Sequence, residues 1–162
     1  MALRYIPMPD DDAERLRGNG PDAYGNPPER RISDGTGVPC RHCLRNVDRG
    51  QPYLVLAYRP FPSVQAYAET GPIFLHADEC PAHEGNSLPP ILGSSKDYLL
   101  RGYGRDDRIV YGTGGVIAVE RLAERAEELL ALADVAYVHV RSAKYNCYQC
   151  RVEPFDKRTR RL

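Results

Sequence analysis

The chain has 162 residues and a mass of 18.2 kDa, which suits one domain with a core of its own. Its 22 basic and 22 acidic residues balance, so no global field draws it to nucleic acid or to an anionic membrane. We therefore expect no nucleic-acid partner, despite eleven tyrosines and a basic tail, and any anion site must be local.

Residues 1–37 are predicted to form an irregular N-terminal arm. Pro, Gly, Asn and Asp recur in it, as at Gly18–Pro21 and Gly25–Pro28, and apolar periodicity is almost absent. So few apolar side chains do not offset the entropy of ordering the arm alone. The first twelve residues show no leader pattern, and no window reaches the roughly 20 apolar residues of a spanning helix. We expect a cytoplasmic protein.

An α+β domain is predicted over residues 38–153, followed by a basic tail at 154–162. Apolar or alternating runs predict strands at 53–58, 72–76, 108–111, 135–142 and 147–152. Apolar residues at helical spacing predict one amphipathic helix over 119–133, and the last two strands predict a C-terminal hairpin. Few strong helices beside several short strands favour an α+β fold with a mainly antiparallel sheet.

Two Cys-x-x-Cys pairs are the sharpest chemical signal, at Cys40 with Cys43 and at Cys147 with Cys150. Four thiolates brought together by folding suit a tetrahedral, structural zinc site, which would tie the arm to the final hairpin. Against this, residues three apart on a regular strand point to opposite faces, so the second pair needs a bulge. Idle buried thiols and a disulfide or redox pair remain alternatives.

A second metal set lies in the middle of the chain, where His76, Cys80 and His83 are close enough in sequence to share one ion. Cys43 or His42 would complete it. The spacing is not that of a standard zinc finger, and ordinary core or surface histidines are the competing interpretation.

A different hypothesis uses one face of the strand predicted at 135–142 as a pocket for an anionic ligand. Its side chains come from this strand and its neighbours, and they are His139, Arg141, Arg59, His76 and Tyr111. Arginines would clamp a carboxylate or phosphate, histidine would move a proton, and tyrosine would donate a hydrogen bond. The chain would then be a small-molecule enzyme or binding protein. The alternative is a sheet face that meets solvent.

Four segments carry a resemblance to a known family. They are Val38-Pro39-Cys40-Arg41, Gly50-Gln51-Pro52-Tyr53-Leu54, Tyr67-Ala68-Glu69-Thr70-Gly71-Pro72-Ile73-Phe74, and Val135-Ala136-Tyr137-Val138-His139-Val140-Arg141 with Asn146-Cys147. Over roughly residues 38–152 the chain resembles the bacterial proteins grouped as domain of unknown function 1203 (DUF1203). The resemblance implies a compact α+β domain and no particular activity. Cys43 and Cys150 stand where many relatives have a small residue, so metal binding would belong to a branch of the family.

Overall fold

The computed structural model describes residues 1–155, and within them the chain forms eight strands and two α-helices. In chain order these are β1 (Leu3–Ile6), α1 (Asp10–Arg17), β2 (Glu29–Ile32), β3 (Pro52–Tyr58), β4 (Gly71–His76), β5 (Asp97–Tyr103), β6 (Gly115–Ala118), α2 (Leu122–Leu130), β7 (Tyr137–Ser142) and β8 (Tyr148–Pro154). The predicted α+β class is confirmed. Most of the predicted basic tail lies outside the described residues.

The strands are divided between two antiparallel sheets. A five-stranded sheet has the order β1-β8-β7-β5-β6, and a three-stranded sheet has the order β2-β3-β4. The predicted C-terminal hairpin is the β7–β8 pair. Its register shifts between Val140 and Arg141, because Val140 faces Cys150 whereas Arg141 faces Tyr148. This bulge leaves Gln149 as an extra residue and turns Tyr148 toward the Arg141 face.

Helix α2 covers one face of the five-stranded sheet. It is shorter than the predicted helix because a 3-10 turn, Val119–Arg121, precedes it. Its apolar stripe is buried against β5, β7 and β8, and the stripe consists of Leu122, Ala126, Leu129 and Leu130. Full burial of a leucine side chain contributes about 1.5–3 kcal/mol, so this stripe fixes the helix on the sheet.

Helix α1 packs on a second apolar cluster, built around the three-stranded sheet. Ala13 and Leu16 of the helix lie with Leu54 and Leu56 of β3 and with residues of β4. Cys40 and Cys43 belong to the same cluster. The loop that carries the first Cys-x-x-Cys pair is thus held between a helix and a sheet.

The prediction of an irregular N-terminal arm is wrong, because β1, α1 and β2 all lie within residues 1–37. Strand β1 pairs with β8, and β2 pairs with β3, so long-range hydrogen bonds order this segment. Between α1 and β2 the Asp22 carboxylate accepts hydrogen bonds from three backbone N–H groups, those of Tyr24, Asn26 and Ala57. Only two residues of α1 are buried, which explains its weak apolar pattern.

The predicted strand at 108–111 is also wrong. Within that stretch Ile109 forms a single bridge to Tyr103, while β5 and β6, which the sequence patterns did not indicate, form the edge of the five-stranded sheet. Gly102 interrupts the apolar pattern of β5. The backbone N–H of Gly102 donates a hydrogen bond to the Thr113 hydroxyl.

Neither helix within residues 1–155 has the length and apolar character that crossing a membrane requires.

Candidate metal centre

Three cysteines and one histidine converge beside α1. Cys40 and Cys43 come from the loop before β3, His76 ends β4, and Cys80 follows in the next loop. One ligand atom from each lies within 4.8 Å of the other three. Cys40 Sγ is 3.9 Å from Cys80 Sγ, and Cys43 Sγ is 3.4 Å from His76 Nδ1.

These separations fit a tetrahedral ion. With Zn–S bonds of about 2.3 Å and Zn–N bonds of about 2.0–2.1 Å, tetrahedral angles put two sulfurs about 3.8 Å apart and a sulfur and a nitrogen about 3.5 Å apart. Both observed distances agree closely with these values. Thiolate and imidazole donors also suit soft and borderline divalent metals. The four residues, Cys40, Cys43, His76 and Cys80, are called the metal centre below, and they could hold one metal ion.

Backbone pairing positions the first two ligands against β4. Cys40 forms a parallel bridge with Phe74, and Arg41 N–H donates to the Phe74 carbonyl at 3.1 Å. The loop then closes tightly, since Leu44 N–H donates to the Cys40 carbonyl and Leu44 has a positive φ of 56°. At the end of β4, His76 N–H donates to Cys40 Sγ at 3.3 Å. Strand β4 therefore sets where the two pairs of ligands meet.

Arg17 and His42 both contact the sulfur of Cys80. Arg17, the last residue of α1, donates from Nη2 to Cys80 Sγ at 2.9 Å and from Nε to the His76 carbonyl at 3.0 Å. His42 Nδ1 lies 3.3 Å from the same sulfur, and its Nε2 lies 2.7 Å from the Asp10 carboxylate. The first residue of α1, Asp10, thus contacts His42, and the last, Arg17, contacts Cys80. The hydrogen bond from Arg17 favours a thiolate at Cys80.

The ionisation of the four side chains is uneven. Hydrogen bonds from Cys40 and Cys43 lower the pKa of Cys80, whereas hydrogen bonding to Cys40 and Cys80 raises the pKa of Cys43. Hydrogen bonding to Cys40 and Cys80 also raises the pKa of His76 to about 10. These directions favour a thiolate at Cys80 and a protonated imidazole at His76. Binding a metal there releases protons, because every ligand must be deprotonated.

The predicted four-cysteine set is not brought together within the described residues. Cys150 packs in the core between the five-stranded sheet and α2, whereas Cys147 precedes β8 and lies on the side of Arg141. The hairpin does contain a bulge, but Cys150 lies in the core whereas Cys147 lines the cavity beside Arg141. The metal centre takes Cys40 and Cys43 from this predicted set and neither Cys147 nor Cys150.

The alternative set is brought together in part. His76 and Cys80 meet, and Cys43, one of the two residues named as a further ligand, joins them together with Cys40. His83 does not take part; its backbone N–H donates to the His42 carbonyl. His42 contacts Cys80 as a neighbour of the ligand set.

The residues predicted to form an anion pocket are separated. His76 belongs to the metal centre, and Arg59 donates to the Phe61 carbonyl at 3.2 Å. Tyr111 is exposed, with its hydroxyl 3.0 Å from that of Tyr67. Only His139 and Arg141 stay together, two residues apart on β7.

The predicted sheet face is buried and does not meet solvent. His139 is fully enclosed by four aromatic rings, those of Phe61, Tyr103, Tyr137 and Tyr148. Burial, together with the charges of Arg141 and other arginines, lowers the pKa of His139 well below its ordinary value. A neutral imidazole in an aromatic enclosure is a core residue here, without an open path for proton transfer.

Sequence reasoning missed Arg17 and Asp10, which approach the metal centre from a segment predicted to be irregular. Their partners, Cys80 and His42, lie far along the chain, so no local spacing indicates them. It also missed Glu69, which forms ion pairs with both Arg101 and Arg141. A carboxylate beside Thr70 and Gly71 gave no sign of these contacts.

The family model described as protein of unknown function (DUF1203) matches residues 37–154, and the chain belongs to this family. No curated protein and no solved structure matched the chain. The matched range includes all four residues of the metal centre but not α1. The family's description names no activity.

Proposed function

We propose that the chain is a small zinc-binding module in which Cys40, Cys43, His76 and Cys80 hold one structural Zn²⁺. The observation that carries this proposal is the mutual approach of the four ligand atoms to within 4.8 Å at separations that suit a tetrahedron. Three cysteines and a histidine complete a four-coordinate shell, which is typical of structural zinc sites. Catalytic zinc instead keeps a position for water or substrate.

Charge balance supports the same assignment. Zn²⁺ with three thiolates and a neutral imidazole carries one net negative charge, and the Arg17 guanidinium contacts Cys80 Sγ at 2.9 Å. Hydrogen bonds to a ligating sulfur orient it and disperse its charge. Zinc would therefore join the Cys40–Cys43 loop to the end of β4 and, through Arg17, to α1. Metal loading would regulate how firmly this N-terminal helix is held.

The proposal includes a cytoplasmic location. The cysteines at all five positions are free, and a reducing compartment keeps thiols available as metal ligands.

The test is the metal content of protein purified without added metal, measured by mass spectrometry, with a thiol titration before and after chelation. We expect about one zinc per chain, and chelation should expose the thiols of Cys40, Cys43 and Cys80. Co²⁺ substituted for zinc should give the visible absorption of a tetrahedral thiolate site. Cys80→Ser should lose the metal, and Cys147→Ser, the same substitution outside the metal centre, should retain it.

Stability supplies a second readout. A metal present at about 1,000 times its Kd stabilises the native state by about 4.1 kcal/mol, and in a chain of this size each kcal/mol moves Tm by about 2–4 °C. Chelation should therefore lower Tm by about 8–16 °C in the wild type and in Cys147→Ser. A protein that neither carries nor takes up Zn²⁺ or Co²⁺, or equal metal loss from both variants, would overturn the proposal.

A further inference from the structure

A cavity of about 620 Å³ lies between the start of β4 and the turn that joins β7 to β8. Its apolar wall includes Tyr58, Ile73 and Tyr148, and its polar wall includes Glu69 and Arg141. Among the described residues, none of the four in the metal centre lines it. The cavity is thus separate from the proposed zinc site and large enough for a small organic molecule.

The charges at the polar wall do not balance. Arg101 donates two parallel hydrogen bonds to the Glu69 carboxylate, of 2.9 and 3.0 Å. Arg141 Nη1 lies 3.1 Å from the same carboxylate and donates to the Asn146 carbonyl at 3.2 Å. Burial opposes ionisation of Glu69, but hydrogen bonding to Arg101 and the charge of Arg141 hold its pKa below its usual value. Two cations therefore share one anion, and one positive charge remains.

Arg141 carries this excess charge in a buried position. Its side chain is 4% exposed, and Nε and Nη2 have no hydrogen-bond partner within residues 1–155. These two nitrogens form one edge of the guanidinium, from which N–H groups can donate two hydrogen bonds to a carboxylate or phosphate. A buried cation without a full counter-charge is costly, and an anion that enters the cavity beside Arg141 would supply that counter-charge.

The apolar wall of the cavity indicates that the rest of the ligand is apolar. Tyr58 and Tyr148 have ring centroids 6.1 Å apart and, with Ile73, offer an aromatic and aliphatic surface. Tyr148 also lies under the Arg141 guanidinium, with its centroid 6.0 Å from Cζ. Aromatic walls of this kind pack against flat apolar groups.

We propose that this cavity binds a small organic anion, with its carboxylate or phosphate group at Arg141 and its apolar body against Tyr58, Ile73 and Tyr148. The ligand supplies the counter-charge that Glu69 divides between two arginines. Of the predicted anion-pocket residues, only Arg141 takes this role, and Glu69 and Arg101 set its charge.

The test is isothermal titration of the metal-loaded, full-length protein with phenylacetate, phenyl phosphate and the uncharged phenylacetamide. We expect at least one anion to bind with a Kd below about 1 mM, and phenylacetamide to bind at least about tenfold more weakly. The stronger of the two anions identifies the head group. Saturation by neither anion below about 10 mM, or equal binding of phenylacetamide, would overturn the proposal.

Two variants test the charge argument in opposite directions. Arg141→Gln should weaken binding of the anion at least about tenfold, and Glu69→Gln should strengthen it about threefold or more by leaving both arginines without an anion. Arg59→Gln, outside the cavity, should leave the Kd unchanged. If Arg141→Gln fails to fold, Glu69→Gln decides, because weaker binding in that variant contradicts the proposed excess of positive charge.

Discussion

Replacing Arg41 with methionine should test what joins the two sheets. Arg41 lies in the metal-centre loop, the residue is 2% exposed, and its guanidinium donates to two backbone carbonyls. Nε contacts the Tyr148 carbonyl in β8 at 2.6 Å, and Nη1 contacts the Pro39 carbonyl at 2.5 Å. Its own backbone N–H donates to Phe74 in β4. One residue therefore connects the three-stranded and five-stranded sheets.

The magnitude follows from these contacts. Hydrogen bonds from a charged donor contribute about 1.5–3 kcal/mol each, so the two bonds give about 3–6 kcal/mol. Burying the charge of Arg41 opposes folding, because both acceptors are neutral carbonyls, and burial lowers the pKa of Arg41 to about 10. Methionine carries no charge, so the substitution removes this cost and offsets part of the loss. We expect Arg41→Met to lower the free energy of unfolding by about 2–4 kcal/mol, with two carbonyls left unpaired.

The assay is urea denaturation of metal-loaded protein, with Arg15→Met as the matched control. Arg15 also donates to a carbonyl, that of Pro21 at 2.6 Å, but its side chain is 49% exposed. Exposed interactions of this kind contribute less than about 1 kcal/mol, so this variant should change little. If Arg41→Met lowers the free energy of unfolding as little as Arg15→Met does, the hydrogen bonds of the buried Arg41 guanidinium do not hold the two sheets together.

Two further substitutions test ionisation and the N-terminal segment. His139→Phe should reduce the loss of unfolding free energy on acidification, by up to about 1.4 kcal/mol per pH unit below pH 6.5. The free energy of unfolding is measured by urea titration at several pH values in the presence of a chelator. In the unfolded chain this histidine takes up a proton below about pH 6.5, whereas burial keeps it neutral in the native state, so acid lowers the stability of the wild type. The same dependence of unfolding free energy on pH in His139→Phe and in the wild type would contradict this. Asp22→Ala should speed amide exchange at Ala57 and cleavage within residues 18–28, because three N–H groups lose their acceptor. Asp11→Ala, in the first turn of α1, should leave both rates unchanged.

Local patterns predicted those elements whose side chains alternate or recur with burial. Strands β3, β4, β7 and β8 and helix α2 all present apolar residues at the period of their structure. Strand β1 alternates over only four residues and helix α1 buries only Ala13 and Leu16, so neither gives a long apolar pattern. Pairing of β1 with β8 and the contact of Arg17 with Cys80 help to hold them in place. Such contacts join residues distant in sequence, and no local window contains both partners.

The cysteines show the same limit. Both Cys-x-x-Cys pairs have equal spacing, so spacing alone does not show that Cys40 and Cys43 have other partners than Cys147 and Cys150. The choice depends on one non-local pairing, the bridge between Cys40 and Phe74, which places the loop beside His76. The objection from strand geometry concerned the second pair, but Cys147 precedes β8 and only Cys150 lies on it, in the core.

Arg41 also relates the metal centre to the cavity. It stands between Cys40, a proposed ligand, and His42, which contacts Cys80, and its guanidinium holds the backbone of Tyr148, whose ring lines the cavity. A shift of the Cys40–Cys43 loop on loss of metal would therefore act on one wall of the ligand cavity through a single buried side chain. Packed side chains of this kind transmit displacement because the interior is close-packed. The proposed zinc and the proposed anion would then stabilise the same arrangement of the two sheets.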